Sequence, residues 1–318
     1  MGELRVFFTT DLHGSDKCFR KFLSTPHFYK ASVIIIGGDI TGKMMVPIVE
    51  KNGGIYTSRF QGLERVMRSE SEVSEFETII RDSGGYPYRT SEEELHKIAS
   101  DEAYKEQLFK KLILQRAEEW LALAEERLKG KNVECFILPG NDDVFDVDLA
   151  FSKATVVENP EGKVIDLPMG YQLLSSGFSN QTPWCCPRDL PEEKLQAKLV
   201  EISSRVKDFK RCILNLHCPP YDTPLDEAPK LDKELKPVLG LGGTPIMVHV
   251  GSTSVRSLIE KCGPLLSLHG HIHESRGAIK LGKTISINPG SEYSEGVLKG
   301  ALINIKDDSV KGYLLTSG

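Results

Sequence analysis

Five short polar clusters in this sequence carry side chains able to do metal chemistry: Asp11-Leu12-His13, Gly38-Asp39, Gly140-Asn141-Asp142-Asp143, His217, and Gly270-His271-Ile272-His273. Their carboxylate and amide oxygens and imidazole nitrogens suit a pair of divalent ions in number and type. Taken alone, Asp39 reads equally well as a turn former or helix cap. Five such clusters in series, most of them with His or paired carboxylates, point beyond turn chemistry.

Each cluster follows a short apolar run, at residues 4–10, 32–37, 133–138, 212–216 and 265–268. These runs are rich in β-branched and aliphatic residues and bounded by Gly, Pro or Asp, the pattern of buried strands. An α/β sheet presents chemistry in the crevice beyond its strand ends, so side chains far apart in sequence are expected to meet there.

The series D-x-H, G-D, G-N-D-D, H and G-H-x-H resembles that of the calcineurin-like metallophosphoesterases, and it runs from Asp11 to His273. Asn288-Pro289-Gly290-Ser291 is also similar to that family. The long insertion, the G-N-D-D variant and the G-H-I-H-E-S ending look most like a little-characterised prokaryotic subgroup. The resemblance implies an α/β fold, a four-layer α/β/β/α sandwich with an α-helical insertion. It also implies one metal ion on Asp11, His13, Asp39 and His273, and a second on Asp39, Asn141, His217 and His271. Asp39 would bridge the two. The assignment is physically sensible, because a carboxylate has two oxygens that can each serve one cation, while Asn and neutral His add no charge.

Two cations roughly 3.5–4 Å apart acidify a shared water and hold phosphoryl oxygens against it. The implied function is hydrolysis of phosphate esters, phosphodiesters foremost, by direct attack of a metal-bridging hydroxide with Asp39 and Asp142 as catalytic residues. Many relatives carry His where this chain has Asp142. An unperturbed Asp has a pKa of about 3.9 and is ionised at neutral pH, so it donates a proton only if burial or a neighbour such as Asp143 raises it. The alternative is that Asp142 only orients a ligand or a water. Either way, esters with good leaving groups are expected to turn over best.

Residues 37–43 (GGDITGK) also match most of a phosphate-binding loop. Met44 replaces the Ser/Thr that would bind Mg²⁺, and Pro47 with Asn52-Gly53-Gly54 argues against the helix such a loop needs. A nucleoside triphosphatase reading is therefore set aside, and Lys43 is left as a loop lysine or a contact for substrate anion.

The 318 residues suffice for one domain, 1–318, with an insertion or helical cap at 43–131. Within it, residues 45–56 read as a hairpin and 72–81 as a helix. Ser91 to Glu94 form a capping box ahead of a helical repeat reaching Leu128, stopped by Gly130. That helix reads either as a cap over the site or as scaffold outside a sheet. Strands are expected at 155–157, 164–167 and 171–175, a helix at 254–261, and a closing antiparallel segment at 284–287, 301–305 and 312–315. The loops 181–188 and 219–231 offer Trp184, Arg188 and Tyr221 for substrate binding. Arg188 suits a bidentate phosphate contact, or alternatively a structural ion pair.

Apolar content of 40% without a long uncharged run argues against a membrane span. A net charge of −5 gives no footprint for duplex nucleic acid. The seven scattered cysteines and the absence of a signal-peptide pattern read as a reduced, cytoplasmic protein. His27, His96, His249 and His269 fall outside the ligand set. The mixed N/O donors fit Mn²⁺ or Fe first, with Zn²⁺, Ni²⁺ or Co²⁺ also admitted, and the expected partner is a small phosphate-ester substrate. The oligomeric state is open. The rival function of a different class is a non-catalytic, metal-binding interaction scaffold on the same fold, against which the complete ligand set speaks. Within catalysis the rivals are a phosphomonoesterase and a nucleotide-specific hydrolase.

Overall fold

The computed structural model describes residues 2–318. Two sheets face each other at its centre. The first has five strands in the order Ser309–Ser317, Lys299–Lys306, Leu4–Thr9, Val33–Ile36, Glu134–Ile137. The second has six, in the order Gly277–Leu281, Thr284–Asn288, Leu266–Leu268, Cys212–Leu216, Tyr171–Ser176, Val164–Leu167. In the first, Leu4–Thr9, Val33–Ile36 and Glu134–Ile137 run parallel and the two C-terminal strands add antiparallel at one flank; in the second, four parallel strands have an antiparallel strand at each flank.

Alternation along the strands decides the layers, because successive side chains point to opposite faces. Val6, Phe8, Val33 and Ile35 face Leu173, Ile213, Leu266 and Ile287 across the space between the sheets. Phe7, Ile34, Ile36 and Ile137 point outward and pack with Phe19, Phe22 and Trp120 from helices Asp16–Phe22 and Glu102–Leu128. On the far side Leu214 and Leu216 meet Leu195, Leu199, Val255 and Ile259 of helices Glu192–Ser203 and Thr253–Cys262. Full burial of each such side chain contributes about 1.5–3 kcal/mol. The expected four layers are therefore present.

The insertion is richer than expected. Besides the hairpin and a helix at Glu70–Asp82, it forms a four-stranded sheet in the order Leu63–Met67, Ile55–Phe60, Met45–Lys51, Tyr86–Ser91. Val46, Ile48, Phe60, Met67, Val73, Phe76 and Ile80 give it a small core of its own. The helical repeat that starts at Ser91 breaks into Glu92–Ser100 and Glu102–Leu128, because the Asp101 side chain accepts from the Tyr104 N–H at 2.9 Å and starts a new helix. The second of these lies against the outside of the first sheet, in the scaffold position. Trp120 stacks on Phe19 with ring centroids 4.1 Å apart and donates to Asp16 at 2.6 Å.

Elsewhere, residues 155–157 form no strand; their neighbour Glu158 makes a single bridge to Phe136. The expected closing segment divides between sheets, with Thr284–Asn288 in the second and Lys299–Lys306 with Ser309–Ser317 in the first. No described helix is long and apolar enough to cross a membrane. All seven cysteines are unpaired.

Candidate metal centre

The parallel strands of both sheets end along one crevice, and all five polar clusters lie there. The loops beyond Thr9 and Ile36 continue side by side: the Asp11 N–H donates to Gly38 O at 2.9 Å, His13 N–H to Asp39 O at 3.0 Å, and Gly14 N–H to Ile40 O at 2.8 Å. Asp11, His13, Asp39 and His271 all have positive φ, between 40° and 68°. Such backbone is costly for non-glycine residues and persists where its surroundings hold it, as at ligand sites.

Donor atoms of Asp11, His13 and His273 lie within 4.8 Å of one another, and so do those of Asp39, His217 and His271. Asp39 stands between the groups: Oδ1 is 3.4 Å from His217 Nε2 and Oδ2 is 3.7 Å from His13 Nε2. His273 Nε2 is 3.3 Å from Asp11 Oδ1 and 3.1 Å from His13 Nε2. Six of the seven side chains named from sequence thus converge, and Asn141 follows Gly140, whose Cα packs against Asp39. Asp11, His13, Asp39, Asn141 and His217 are buried.

The donor set fits divalent cations. His217 Nδ1 faces Gly37 O at 3.0 Å, so the N–H resides there and the Nε2 lone pair turns inward. Asn141 Nδ2 donates to Asp189 at 2.9 Å, which leaves its carbonyl oxygen for another partner. Both atoms, His217 Nε2 and Asn141 Oδ1, are buried without a hydrogen-bond partner. Leaving such atoms unsatisfied costs about 1–3 kcal/mol each, and a cation resolves both.

Charge follows the same logic. Burial alone would raise Asp11 and Asp39, but the neighbouring histidines outweigh it and hold both well below the ordinary carboxylate range. Burial pushes His13 and His271 down to about 4, leaving neutral imidazoles with free lone pairs. His217 is the opposite case. Burial opposes its charge, yet Asp39 and Asp11 raise it to about 9, a proton standing in for a cation.

Asp142 sits at the rim, with Lys43 Nζ 2.7 Å from its Oδ2 and its backbone N–H on Asp39 Oδ1 at 3.1 Å. Asp143 turns the other way. It accepts from the N–H groups of Ile40, Thr41 and Gly140 and from Thr41 Oγ1, at 2.6–3.0 Å, joining the Asp39 and Asn141 loops. No helix follows Lys43, only the strand Met45–Lys51, so the phosphate-loop reading is excluded.

Among the substrate candidates, Arg188 needs correction. It is fully buried, its Nε donating to Asp143 O at 3.2 Å and its Nη2 to Asp148 at 3.0 Å, between the rings of Phe145 and Phe178. Its guanidinium is spent on structure and is not open to phosphate. Trp184 is exposed on its loop. Tyr221 is half-exposed, its ring 6.0 Å from that of His249.

Several residues support the donors, and of these Tyr293 escaped the sequence reading. Tyr293 lays its ring 4.7 Å from His13 and 5.9 Å from His273. His269 is buried with Nδ1 on the carbonyls of Leu216 and Cys218, at 2.9 and 3.0 Å, tying two strand ends together. Asn288 donates to Gly270 O and Ile272 O, and Ser291 Oγ to Asp11 O. The N-P-G-S stretch signalled these last two, while Tyr293 left no local signal.

No protein-family model matches the chain. An uncharacterized protein of Methanocaldococcus jannaschii is 33% identical over 160 residues, which are 49% of this chain and 64% of that protein; the matched part thus spans less than two thirds of the relative. One solved crystal structure aligns over 99% of both chains with 15% identity and a TM-score of 0.57. The protein TT1561 of Thermus thermophilus aligns over 100% of this chain and 99% of its own, with 14% identity and a TM-score of 0.51. Those two structures share the fold. The four-layer architecture is the one expected from the sequence.

Proposed function

We propose that this chain is a metal-dependent hydrolase of small phosphate esters, a cytoplasmic member of the calcineurin-like metallophosphoesterases. Asp11, His13, Asp39 and His273 would hold one divalent ion and Asp39, Asn141, His217 and His271 the other. The observation that carries this reading is the pair of donor clusters meeting at Asp39, with His217 Nε2 and Asn141 Oδ1 buried and unpartnered. When bound, two such ions supply Lewis-acid charge to phosphoryl oxygens and make a water acidic enough to act as nucleophile near neutral pH.

The chain's own residues do the rest. Gly37 O and Thr41 O orient His217 and His13 through their Nδ1 atoms, at 3.0 and 3.3 Å. The His271 N–H, 3.2 and 3.1 Å from the two Asp11 oxygens, fixes that carboxylate. Tyr293 walls the His13 and His273 side against water.

The preference for phosphodiesters rests on the want of an extra cation. Lys43 is such a cation, but its pairing with Asp142 adds no net charge. A singly charged diester therefore remains the better match. Mn²⁺ or Fe suits donors that are all nitrogen or oxygen.

The test is hydrolysis of bis(4-nitrophenyl) phosphate and a wider ester panel with added Mn²⁺, alongside metal analysis and an Asp39→Asn control. Turnover with about two ions bound, lost in the variant, is expected. Two bound ions with no ester hydrolysed would favour the scaffold function, and retained turnover in Asp39→Asn would remove the bridging role.

A further inference from the structure

Lys43 opens the insertion directly after the Asp39 loop, and its Nζ lies 2.7 Å from Asp142 Oδ2. Donor atoms of Asp142, His13 and Asp39 lie within 4.8 Å of one another, so Lys43 stands beside the ligand cluster. Depth separates the two groups. Asp11, His13, Asp39, Asn141 and His217 are no more than 3% exposed and form a floor. The side chains of Lys43 and Asp142 are 52% and 26% exposed and form the rim. Tyr293 lays its ring against His13 and His273.

An ammonium has three donors. Asp142 engages one and leaves two for an incoming oxygen. Displacement at phosphorus is in line, so a nucleophile on the floor sends the leaving oxygen toward the rim. The charge that develops there needs a cationic partner, and a carboxyl group alone supplies none.

We propose that Lys43 is a catalytic residue for the reaction proposed above, on which this inference rests: its ammonium contacts the ester oxygen as that oxygen leaves, and Asp142 is the positioning residue that holds it there. Water oxygen bonds to phosphorus, the ester P–O bond breaks with its electron pair on the leaving oxygen, and the proton water loses ends on that oxygen or in solvent. Lys43 keeps its three protons. Burial alone would lower its pKa, but Asp142 and Asp39 push it up to about 12, so it acts as a fixed cation rather than a proton donor.

The experiment compares wild type, Lys43→Met and Lys43→Arg, loaded with Mn²⁺, on methyl aryl phosphates whose leaving phenols run from 4-nitrophenol to phenol. A leaving group that carries charge poorly should miss the cation most. Lys43→Met should lose about tenfold in kcat/KM on the nitrophenyl ester and about 10²–10³-fold on the phenyl ester. Metal content and melting temperature should stay those of wild type, and Lys43→Arg should keep the shallow wild-type dependence. An equal loss on every ester, a loss that tracks missing metal, or an Arg variant that behaves like Met would overturn the assignment. Wild type inactive on the whole series would instead overturn the parent phosphoesterase reading, which separates the two failures.

Discussion

Gly38→Ala should damage the candidate metal centre without replacing any of its proposed ligands. Gly38 has φ +133°, and a Cβ added there would lie 2.1 Å from His217 Nδ1 and 2.6 Å from its Cγ. The ring has little room to retreat, since it is buried, bonded to Gly37 O and packed against His271 with centroids 5.3 Å apart. Backbone strain of about 1–3 kcal/mol adds to a lost hydrogen bond of about 0.5–1.5 kcal/mol. Displacing His217 should also weaken one metal site by about 10–100-fold, as loss of an orienting partner does elsewhere. Gly53→Ala is the control, because it too has positive φ, +81°, but nothing lies within 4 Å of the added Cβ. It should cost about 1–2 kcal/mol and leave metal binding alone. Thermal melts of the metal-free proteins and calorimetric Mn²⁺ titrations of both variants read these effects. If Gly38→Ala melted with Gly53→Ala and bound two ions like wild type, the close-packing argument would be refuted.

Three more outcomes follow from the same geometry. His217 has a folded pKa of about 9 against an ordinary value of 6.5 in the metal-free chain. Its contribution is full below about 6.5 and lost as pH rises toward 9, so the metal-free melting temperature should fall over that window while the Mn²⁺-loaded one does not; a flat metal-free profile would contradict this. Arg188→Met should lower stability by about 1–3 kcal/mol, because the Asp143 carbonyl and the part-exposed Asp148 lose their partner, and KM should not rise selectively. A KM effect without destabilisation would return Arg188 to substrate binding. Asp142→Asn should keep the shape of the pH–rate profile for a poor leaving group, because the carboxylate is engaged by Lys43; a vanished limb would make Asp142 the proton donor.

The central strands and the candidate donor residues that follow them were legible because both signals are local. Runs such as Val33–Ile36 carry their burial in the residue types, and a polar residue straight after such a run has few places to be except the crevice. The insertion was harder. Leu63–Met67 is mostly exposed and Tyr86–Ser91 has Pro at its second position, so neither shows the alternation of a half-buried strand. They form a sheet because Met45–Lys51 and Ile55–Phe60 supply edges to pair with.

The sequence by itself determined the donor types, their order along the chain and the alternation that sorts side chains into layers, all of which depend on near neighbours. Tertiary structure alone decided which oxygen of Asp39 faces which histidine, that Arg188 is enclosed, and that Lys43 rests on Asp142. Those outcomes join residues far apart along the chain. Only the packing of two sheets and the docking of the insertion brings such partners within a few ångströms, and no local preference encodes that distance.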